Sequence, residues 1–287
     1  MTDRYAVIGN PIAHSKSPQI HKMFAQQTGQ DISYEAILAP LDGFAATIER
    51  LRKEGYKGCN VTVPFKFEAF QLATQLTVHA DVAHAVNTLK LNFDGDTILG
   101  DNTDGMGLVR DIQFNLGITL KNKRVLLIGA GGAASGVTLP LAHAGANITI
   151  VNRTEDKART LATRSAFIES NSKYDTATKN YTGNLKVIGC HYNDLVGQQF
   201  DVVINATSAG LTNEMPDIPK TIFASGALAY DMMYGRDTPF MRFAREHGAA
   251  VVSDGLGMLV EQAAESFFIW RGVRPETAPV IAALRLP

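Results

Sequence analysis

Six short apolar runs, with helix-compatible sequence between most of them, constrain the fold of this chain more than any other feature. They occupy residues 124–128, 147–151, 186–188, 201–204, 227–230 and 249–252. Short apolar runs that alternate with helical sequence are typical of parallel strands joined by crossover helices. Six such strands make up a complete dinucleotide-binding sheet. We therefore predict a doubly wound α/β domain in the middle of the chain.

The first hundred residues also alternate strand and helix signals. The predicted strands cover 5–8, 33–38, 59–63, 85–91 and 97–99, the last two joined by a turn at Asp94-Gly95, and the predicted helices cover 18–27, 43–54 and 67–76. Ser17 and Asp42 are expected to cap the first two helices, and Gly29 to end the first. This order predicts a second α/β layer with much parallel pairing.

The remaining segments fit a chain of about two domains, as expected for 287 residues. Residues 255–272 are predicted to form one helix with apolar residues at helical spacing, and Gln262 and Ser266 fall on one face of it. A glutamine on such a face needs partners for its amide, in the core or in a ligand. The polar stretch 170–184 is predicted to be a surface loop.

Composition excludes several classes of protein. Lys plus Arg total 27 and Asp plus Glu total 28, for a net charge of -1, which gives no support to a nucleic-acid or membrane partner. Cys59 and Cys190 form no close-spaced motif, so we expect neither a disulfide framework nor a structural metal site. No run approaches the roughly 18 apolar residues of a membrane span, and the start has no secretory pattern. A cytoplasmic protein is expected.

A glycine-rich segment, Gly129-Ala130-Gly131-Gly132-Ala133, stands between the strand at 124–128 and a predicted helix. Glycines there let the backbone approach a pyrophosphate, whose charge is stabilised by amides at the helix N-terminus. The alternative is an ordinary glycine-rich turn.

The cofactor type is indicated by the end of the next strand. Asn152-Arg153-Thr154 and Lys157 stand where an NAD enzyme usually places a carboxylate for the ribose 2′-hydroxyl. An arginine fork suits a 2′-phosphate instead, so NADP is predicted to be preferred over NAD. The alternative is a solvated basic helix start, which Glu155 and Asp156 keep open.

Three polar motifs in the first hundred residues are candidate parts of a site. Lys66 follows a predicted strand, where α/β folds place groups that handle ligands, although a lone lysine is usually solvated. The segment 100–105 contains Asp104 in a polar turn, where Thr103 or Asp104 could instead cap a helix. Ser15 and Ser17 precede a helix, a position that can hold a carboxylate.

Together these motifs resemble those of the shikimate dehydrogenase family along the whole chain. The matching segments are 9–18, 60–66, 85–88, 100–105, 129–133, 152–154, 205–208 and 254–259. The resemblance implies reversible reduction of 3-dehydroshikimate to shikimate with NADPH, a step of chorismate and aromatic amino-acid biosynthesis. It also implies a Rossmann-type NADP domain, 105–254, inserted into an α/β substrate-binding domain made of 1–104 and 255–287.

The resemblance assigns roles to individual residues. Lys66 and Asp104 match the catalytic pair, Ser15 and Ser17 the carboxylate-binding residues, and Thr62, Asn87 and Gln262 the residues that hold the ring hydroxyls. The cofactor-binding residues implied are Gly129, Ala130, Gly131, Gly132, Ala133, Asn152, Arg153, Thr154, Lys157, Thr207, Met232 and Gly255. Ser135 departs from the family, which often has arginine there.

Two other functions compete with this one. A quinate/shikimate dehydrogenase that uses either cofactor would carry an acidic residue soon after the second strand, as Glu155 and Asp156 do. A non-catalytic NADP-binding protein would lack the Lys66–Asp104 pair, and both residues are present. We also expect a monomer or homodimer, with Gly105 and Gly255 at the two chain crossings permitting hinge closure.

Overall fold

The computed structural model describes residues 2–92, 95–171, 186–207 and 214–286. The predicted turn at Asp94, most of the polar segment 170–184 and Ser208 lie outside the described residues. The chain divides into two compact units: Met1–Gly107 with Leu259–Pro287, and Leu108–Met258. Their boundaries fall three and four residues beyond those predicted from the sequence.

The described residues form twelve strands and ten α-helices. The strands are β1 (Asp3–Gly9), β2 (Ile32–Leu38), β3 (Gly58–Val61), β4 (Gln75–Leu76), β5 (Thr88–Leu91), β6 (Ile98–Asp101), β7 (Arg124–Ile128), β8 (Asn147–Val151), β9 (Val187–Cys190), β10 (Phe200–Asn205), β11 (Phe223–Asp231) and β12 (Val251–Ser253). The helices are α1 (Ser17–Thr28), α2 (Phe44–Lys53), α3 (Lys66–Leu72), α4 (Val78–Ala83), α5 (Asp104–Arg110), α6 (Gly132–His143), α7 (Glu155–Asn171), α8 (Pro239–Glu246), α9 (Leu256–Arg271) and α10 (Ala278–Arg285). A π-helical turn, Asp111–Asn115, continues directly from α5.

The first unit contains a six-stranded sheet in the order β2-β1-β3-β5-β6-β4. Strand β1 pairs in parallel with β2 and β3, whereas β5 is antiparallel to β3 and β6. The amino end of β5 therefore lies at the same edge of the sheet as the carboxyl ends of β3 and β6. That edge carries the polar motifs that the sequence singled out.

Two of the predicted helix caps are wrong. Ser17 is the first residue of α1 rather than its cap, and the Ser15 hydroxyl accepts the Ser17 N–H at 3.3 Å. Gly43, not Asp42, precedes α2. Gly29 ends α1 in the left-handed conformation (φ 64°), as predicted. Cap choice depends on the backbone angle at which the chain enters a helix, and that angle is imposed by packing.

The second unit contains a six-stranded parallel sheet in the order β12-β11-β10-β7-β8-β9. In chain order within this unit the strands lie 3-2-1-4-5-6 from the β9 edge, the doubly wound arrangement of dinucleotide-binding folds. The predicted Rossmann-type fold is thus confirmed. The chain reverses its direction of winding between β7 and β10, where ligands of such sheets bind beyond the carboxyl ends.

Strand β7 shows why the strands of the second unit appear in the sequence as short continuous apolar runs. Val125 and Leu127 belong to the core on one face of the sheet, and Leu126 and Ile128 to the core on the other. All four are 0% exposed, and each buried side chain of this size contributes about 1.5–3 kcal/mol. Parallel strands covered by helices on both faces lose the alternation of apolar and polar residues.

Both chain crossings between the units are helical. The boundaries at 107/108 and 258/259 fall inside α5 and α9. Gly105 lies within α5, and a Cβ on Gly255 would lie 2.3 Å from the carbonyl oxygen of Met232. Glycine at 255 therefore allows the backbone to pass close to the backbone of Met232. Hinge closure at the two crossings stays a prediction.

Among the described residues, no helix combines the length and apolar character needed to span a membrane.

Candidate active site

Lys66 and Asp104 form an ion pair in the first unit. The Lys66 Nζ lies 2.5 Å from Asp104 Oδ2, and the two side chains are 29% and 12% exposed. Lys66 begins α3 and Asp104 begins α5, so both follow strands that end at the same edge of the sheet. The structure thus brings together the two groups predicted as a catalytic pair, 38 residues apart in the chain.

The Asp104 side chain can pair with Lys66 because the Asn102 side chain accepts the first backbone N–H of α5. The backbone N–H of Asp104 donates to Asn102 Oδ1 at 3.2 Å. Asp104 is the first residue of α5, and Thr103, directly before the helix, places its hydroxyl on Asn87.

Asn87 binds the second carboxylate oxygen of Asp104. Its Nδ2 donates to Asp104 Oδ1 at 2.8 Å, and its Oδ1 accepts the Thr103 N–H at 2.9 Å. A backbone N–H can only donate, so this bond determines which end of the amide faces Asp104. Asn87 is 3% exposed. The carboxylate is consequently held by a cation on one oxygen and an oriented amide on the other.

Helix α9 supplies two polar side chains to the same cluster. Gln262 Oε1 lies 3.4 Å from Asn87 Nδ2, and the Gln262 Nε2 donates to the backbone carbonyl of Leu259 at 2.8 Å. Ser266 Oγ lies 2.8 Å from the Thr88 hydroxyl and is fully buried. Gln262 and Ser266 thus lie on one face of the helix, as their spacing predicted.

Asn60 is a structural member of this cluster that the sequence analysis did not single out. Its Nδ2 donates to Ser266 Oγ at 2.8 Å and its Oδ1 accepts the Tyr34 hydroxyl at 2.7 Å. Asn60 is 6% exposed and stands within the otherwise apolar strand β3. A buried amide inside an apolar run needs partners, so its position could have indicated the cluster.

The two predicted carboxylate-binding serines lie at the start of α1. Ser17 is 7% exposed, whereas Ser15 is partly exposed. Burial raises the pKa of Tyr34 well above its ordinary value, and the neighbouring Ser17 hydroxyl opposes that shift. Ser17 thus neighbours Tyr34, whose hydroxyl donates to Asn60.

Thr62 lies in the loop after β3, packed against the loop after β1. A Cβ on Gly9 would lie 2.5 Å from Thr62 Cγ2, which explains the glycine at that position. The Asn10 N–H donates to the carbonyl of Val63 at 3.0 Å. In the described part of the chain, no hydrogen bond or ion pair joins the side chain of Thr62, Ser15 or Ser17 to that of Lys66.

The glycine loop of the second unit borders open space. A Cβ built on Gly131 or Gly132 would meet nothing within 4 Å, whereas one on Gly129 (φ +112°) would lie 3.2 Å from Thr207 Cγ2 and from the carbonyl oxygen of Ala206. The loop precedes α6, whose N-cap is Gly131. Its amides therefore have room for a pyrophosphate, so the residues present fit a dinucleotide.

Arg153 and Lys157 are exposed at the carboxyl end of β8, next to the partly buried Asn152. Asn152 Nδ2 donates to the carbonyl of Thr154 at 2.9 Å, which shapes the turn into α7. The Glu155 carboxylate is paired with Arg159 at 2.5 Å along the helix. The exposed side chains of Arg153 and Lys157 carry the positive charge that suits a 2′-phosphate.

The last three predicted cofactor residues also follow strands of the second unit. Thr207 donates through its hydroxyl to Asn205 Oδ1 at 2.7 Å, and the Met232 N–H donates to the carbonyl of Asn205 at 3.0 Å. Gly255 packs against Met232. The structure thus groups these residues with the glycine loop at the carboxyl edge of one sheet.

A Rossmann sheet with an open glycine loop, in a chain that also holds a lysine–carboxylate pair on a polar amide cluster, defines a two-domain dinucleotide-dependent oxidoreductase. Models of the shikimate dehydrogenase substrate-binding domain, of shikimate/quinate 5-dehydrogenase and of the shikimate 5′-dehydrogenase C-terminal domain match residues 7–89, 111–213 and 255–285. The chain belongs to the shikimate dehydrogenase family.

Relatives and solved structures agree with this assignment. The shikimate dehydrogenase (NADP(+)) of Methylobacillus flagellatus is 58% identical and covers 99% of each chain. The Ael1 enzyme of Pseudomonas putida is 48% identical, with a TM-score of 0.90, over 100% of this chain and 99% of its own. Shikimate 5-dehydrogenase from Thermus thermophilus, solved with NADP(H) and shikimate, is 29% identical with a TM-score of 0.82 over 99% of both chains.

Proposed function

We propose that this protein catalyses the reversible NADPH-dependent reduction of 3-dehydroshikimate to shikimate, in chorismate and aromatic amino-acid biosynthesis. The observation that carries the proposal is the Lys66–Asp104 ion pair, with Asn87 on the second carboxylate oxygen. Curated relatives that cover nearly the full chain bear the name shikimate dehydrogenase (NADP(+)).

Lys66 is proposed to handle the proton. Reduction of a carbonyl leaves negative charge on its oxygen, and an ammonium within hydrogen-bond reach stabilises that charge and supplies the proton. In the oxidation direction Lys66 accepts the proton of the hydroxyl. NADPH supplies the hydride when it is bound.

Asp104 and its partners are proposed to orient the lysine and the ring. Asp104 holds the Lys66 Nζ in place through Oδ2 and is itself held by Asn87. The Gln262 amide, which in this structure donates to its own helix, is a group that a ring hydroxyl can engage. Thr62 and Asn87 are proposed to bind further hydroxyls, and Ser15 and Ser17 the carboxylate.

The cofactor is proposed to lie with its pyrophosphate on the glycine loop, Gly129 to Ala133, and its 2′-phosphate on Arg153 and Lys157. The alternative of dual cofactor use is not favoured, because curated relatives that cover nearly the full chain bear the name shikimate dehydrogenase (NADP(+)).

We further propose a cytoplasmic location and a monomer or homodimer. Cys59 and Cys190 are free, buried thiols, a state that a reducing compartment maintains.

A spectrophotometric assay of the reduced nicotinamide tests the function. The purified protein is expected to oxidise shikimate faster than quinate, and with NADP faster than with NAD. Lys66→Ala is expected to lower kcat by about 10²–10⁴-fold, while Lys22→Ala, which removes an exposed lysine of α1, keeps wild-type turnover. Near-normal kcat for Lys66→Ala at saturating substrate would overturn the role of Lys66.

A further inference from the structure

A buried carboxylate lies against the first turn of α9. A Cβ built on Gly257 would lie 1.9 Å from Oδ1 and 2.4 Å from Oδ2 of Asp111, so both oxygens pack on the glycine backbone. Asp111 is 3% exposed. Only glycine permits this approach, because any side chain at 257 would occupy the space of the carboxylate.

Two side chains hold the Asp111 carboxylate in place. The Tyr230 hydroxyl donates to Oδ2 at 2.6 Å, and Asn115 Nδ2 donates to Oδ1 at 2.9 Å. Burial and the adjacent carboxylate raise the pKa of Tyr230 well above its ordinary value, and the Met258 N–H bonded to its oxygen opposes the shift. Tyr230 is therefore a neutral donor to Asp111.

The negative charge of the Asp111 carboxylate is the charge that the N-terminus of a helix favours. The first turn of α9 exposes backbone N–H groups with partial positive charge, and a carboxylate placed there stabilises the helix. Met258, at the same turn, belongs to the apolar core cluster of the second unit. The beginning of α9 is thus fixed by polar and apolar contacts together.

Asp111 also belongs to the other crossing helix. It begins the π-helical turn that continues from α5, whose first residue is Asp104. Gln262 lies in α9, five residues beyond Gly257. The Asp111–Gly257 contact therefore joins the helix that carries the Asp104 carboxylate to the helix that carries Gln262.

We infer that Asp111 is a positioning residue: by fastening the first turn of α9 to the end of α5, it sets Gln262 at the distance from Asn87 and Asp104 that ring binding requires. This inference rests on the proposed function of Gln262 and Asp104. Asp111 is a positioning residue and not a catalytic residue, because it acts through the start of α9 rather than on the substrate.

The inference is tested with Asp111→Asn, which keeps the side-chain size and removes the charge. Hydrogen exchange is expected to become faster in the peptide that covers the start of α9, without any ligand present. Shikimate kcat/KM is expected to fall at least tenfold, since displacements of about 1 Å at a reacting centre are costly, whereas the NADP+ dissociation constant changes less than twofold.

Matched variants separate positioning from general instability. Asp201→Asn removes a carboxylate of the same unit that pairs with Arg124, and it is expected to keep wild-type exchange at α9 and wild-type kinetics. If Asp111→Asn does not fold, Tyr230→Phe removes one donor and is expected to shift both measurements in the same direction by less.

Unchanged exchange at α9, or equal losses of NADP+ and shikimate affinity, would overturn the inference. A wild-type protein that does not oxidise shikimate would refute the proposed function, and the exchange measurement would still decide whether Asp111 fastens α9.

Discussion

The Asn87 side-chain amide donates from Nδ2 to Asp104, and its Oδ1 accepts the Thr103 backbone N–H, which sets the orientation of the amide. The carboxylate that pairs with Lys66 is therefore aimed before any ligand arrives. A preorganised pair of this kind needs no rearrangement when charge develops on the substrate oxygen.

Removing the charge of Asp104 tests this arrangement. Asp104→Asn keeps the shape of the side chain but no longer pairs with the Lys66 ammonium, so kcat for shikimate oxidation is expected to fall by about 10²-fold or more. Steady-state kinetics at saturating NADP+ measure it. Asp96→Asn, at a surface carboxylate paired with Arg52, serves as the control and should retain full kcat; equal kcat in both variants would contradict the assignment.

Cofactor choice is tested at Arg153. Replacing it with alanine would remove the charged hydrogen bonds proposed to join Arg153 to the 2′-phosphate, each of about 1.5–3 kcal/mol. Arg153→Ala is expected to raise the KM for NADP+ by roughly ten- to a hundredfold and leave the KM for NAD+ nearly unchanged. Arg242→Ala, at an exposed arginine of α8, should alter neither constant. Equal losses with both cofactors would show that Arg153 does not read the 2′-phosphate.

The stability of the protein is expected to fall in acid because of His21. This residue is 0% exposed, and its ring stacks on the ring of Tyr34 with 4.1 Å between the ring centroids. Burial lowers the pKa of His21 to about 3, below the roughly 6.5 of an unfolded chain. The unfolded state therefore binds the proton more readily between these values, and stability falls as pH falls from 6.5 towards 3.

Denaturant unfolding at pH 7 and pH 5 measures this contribution. Wild type is expected to lose about 2 kcal/mol through His21 over that interval, and His21→Phe, which keeps an aromatic ring, should lose correspondingly less. His247→Phe, at a partly exposed imidazole, should follow wild type. An identical pH dependence in wild type and His21→Phe would contradict the assigned burial effect.

Ser266 is expected to matter for stability more than for chemistry. Ser266→Ala removes a fully buried hydroxyl that accepts from Asn60 and contacts Thr88. The free energy of unfolding is expected to fall by about 1–3 kcal/mol, with kcat within a fewfold of wild type, because Asp104 keeps its bonds to Lys66 and Asn87. Thermal and urea denaturation measure the loss. A large drop in kcat without loss of stability would instead place Ser266 in the reaction.

Much of the candidate site was predictable, but its supporting contacts were not. Lys66, Asp104 and the glycine loop stand in local motifs, which short segments reveal. Asn60 and Ser266 contact each other across 206 residues, and no local pattern indicates that pairing. The predicted caps at Ser17 and Asp42 failed for a related reason, since tertiary packing sets the entry angle of each helix.

The sequence by itself determined the doubly wound second unit, because its apolar runs and glycine loop report local backbone preferences and burial on both faces of a sheet. Only the tertiary structure decided how Lys66, Asn87 and Asp104 meet. Their meeting depends on β5 pairing antiparallel with β3, a long-range pairing that depends on packing in the folded chain, whereas the β5–β6 hairpin is local and follows the predicted turn.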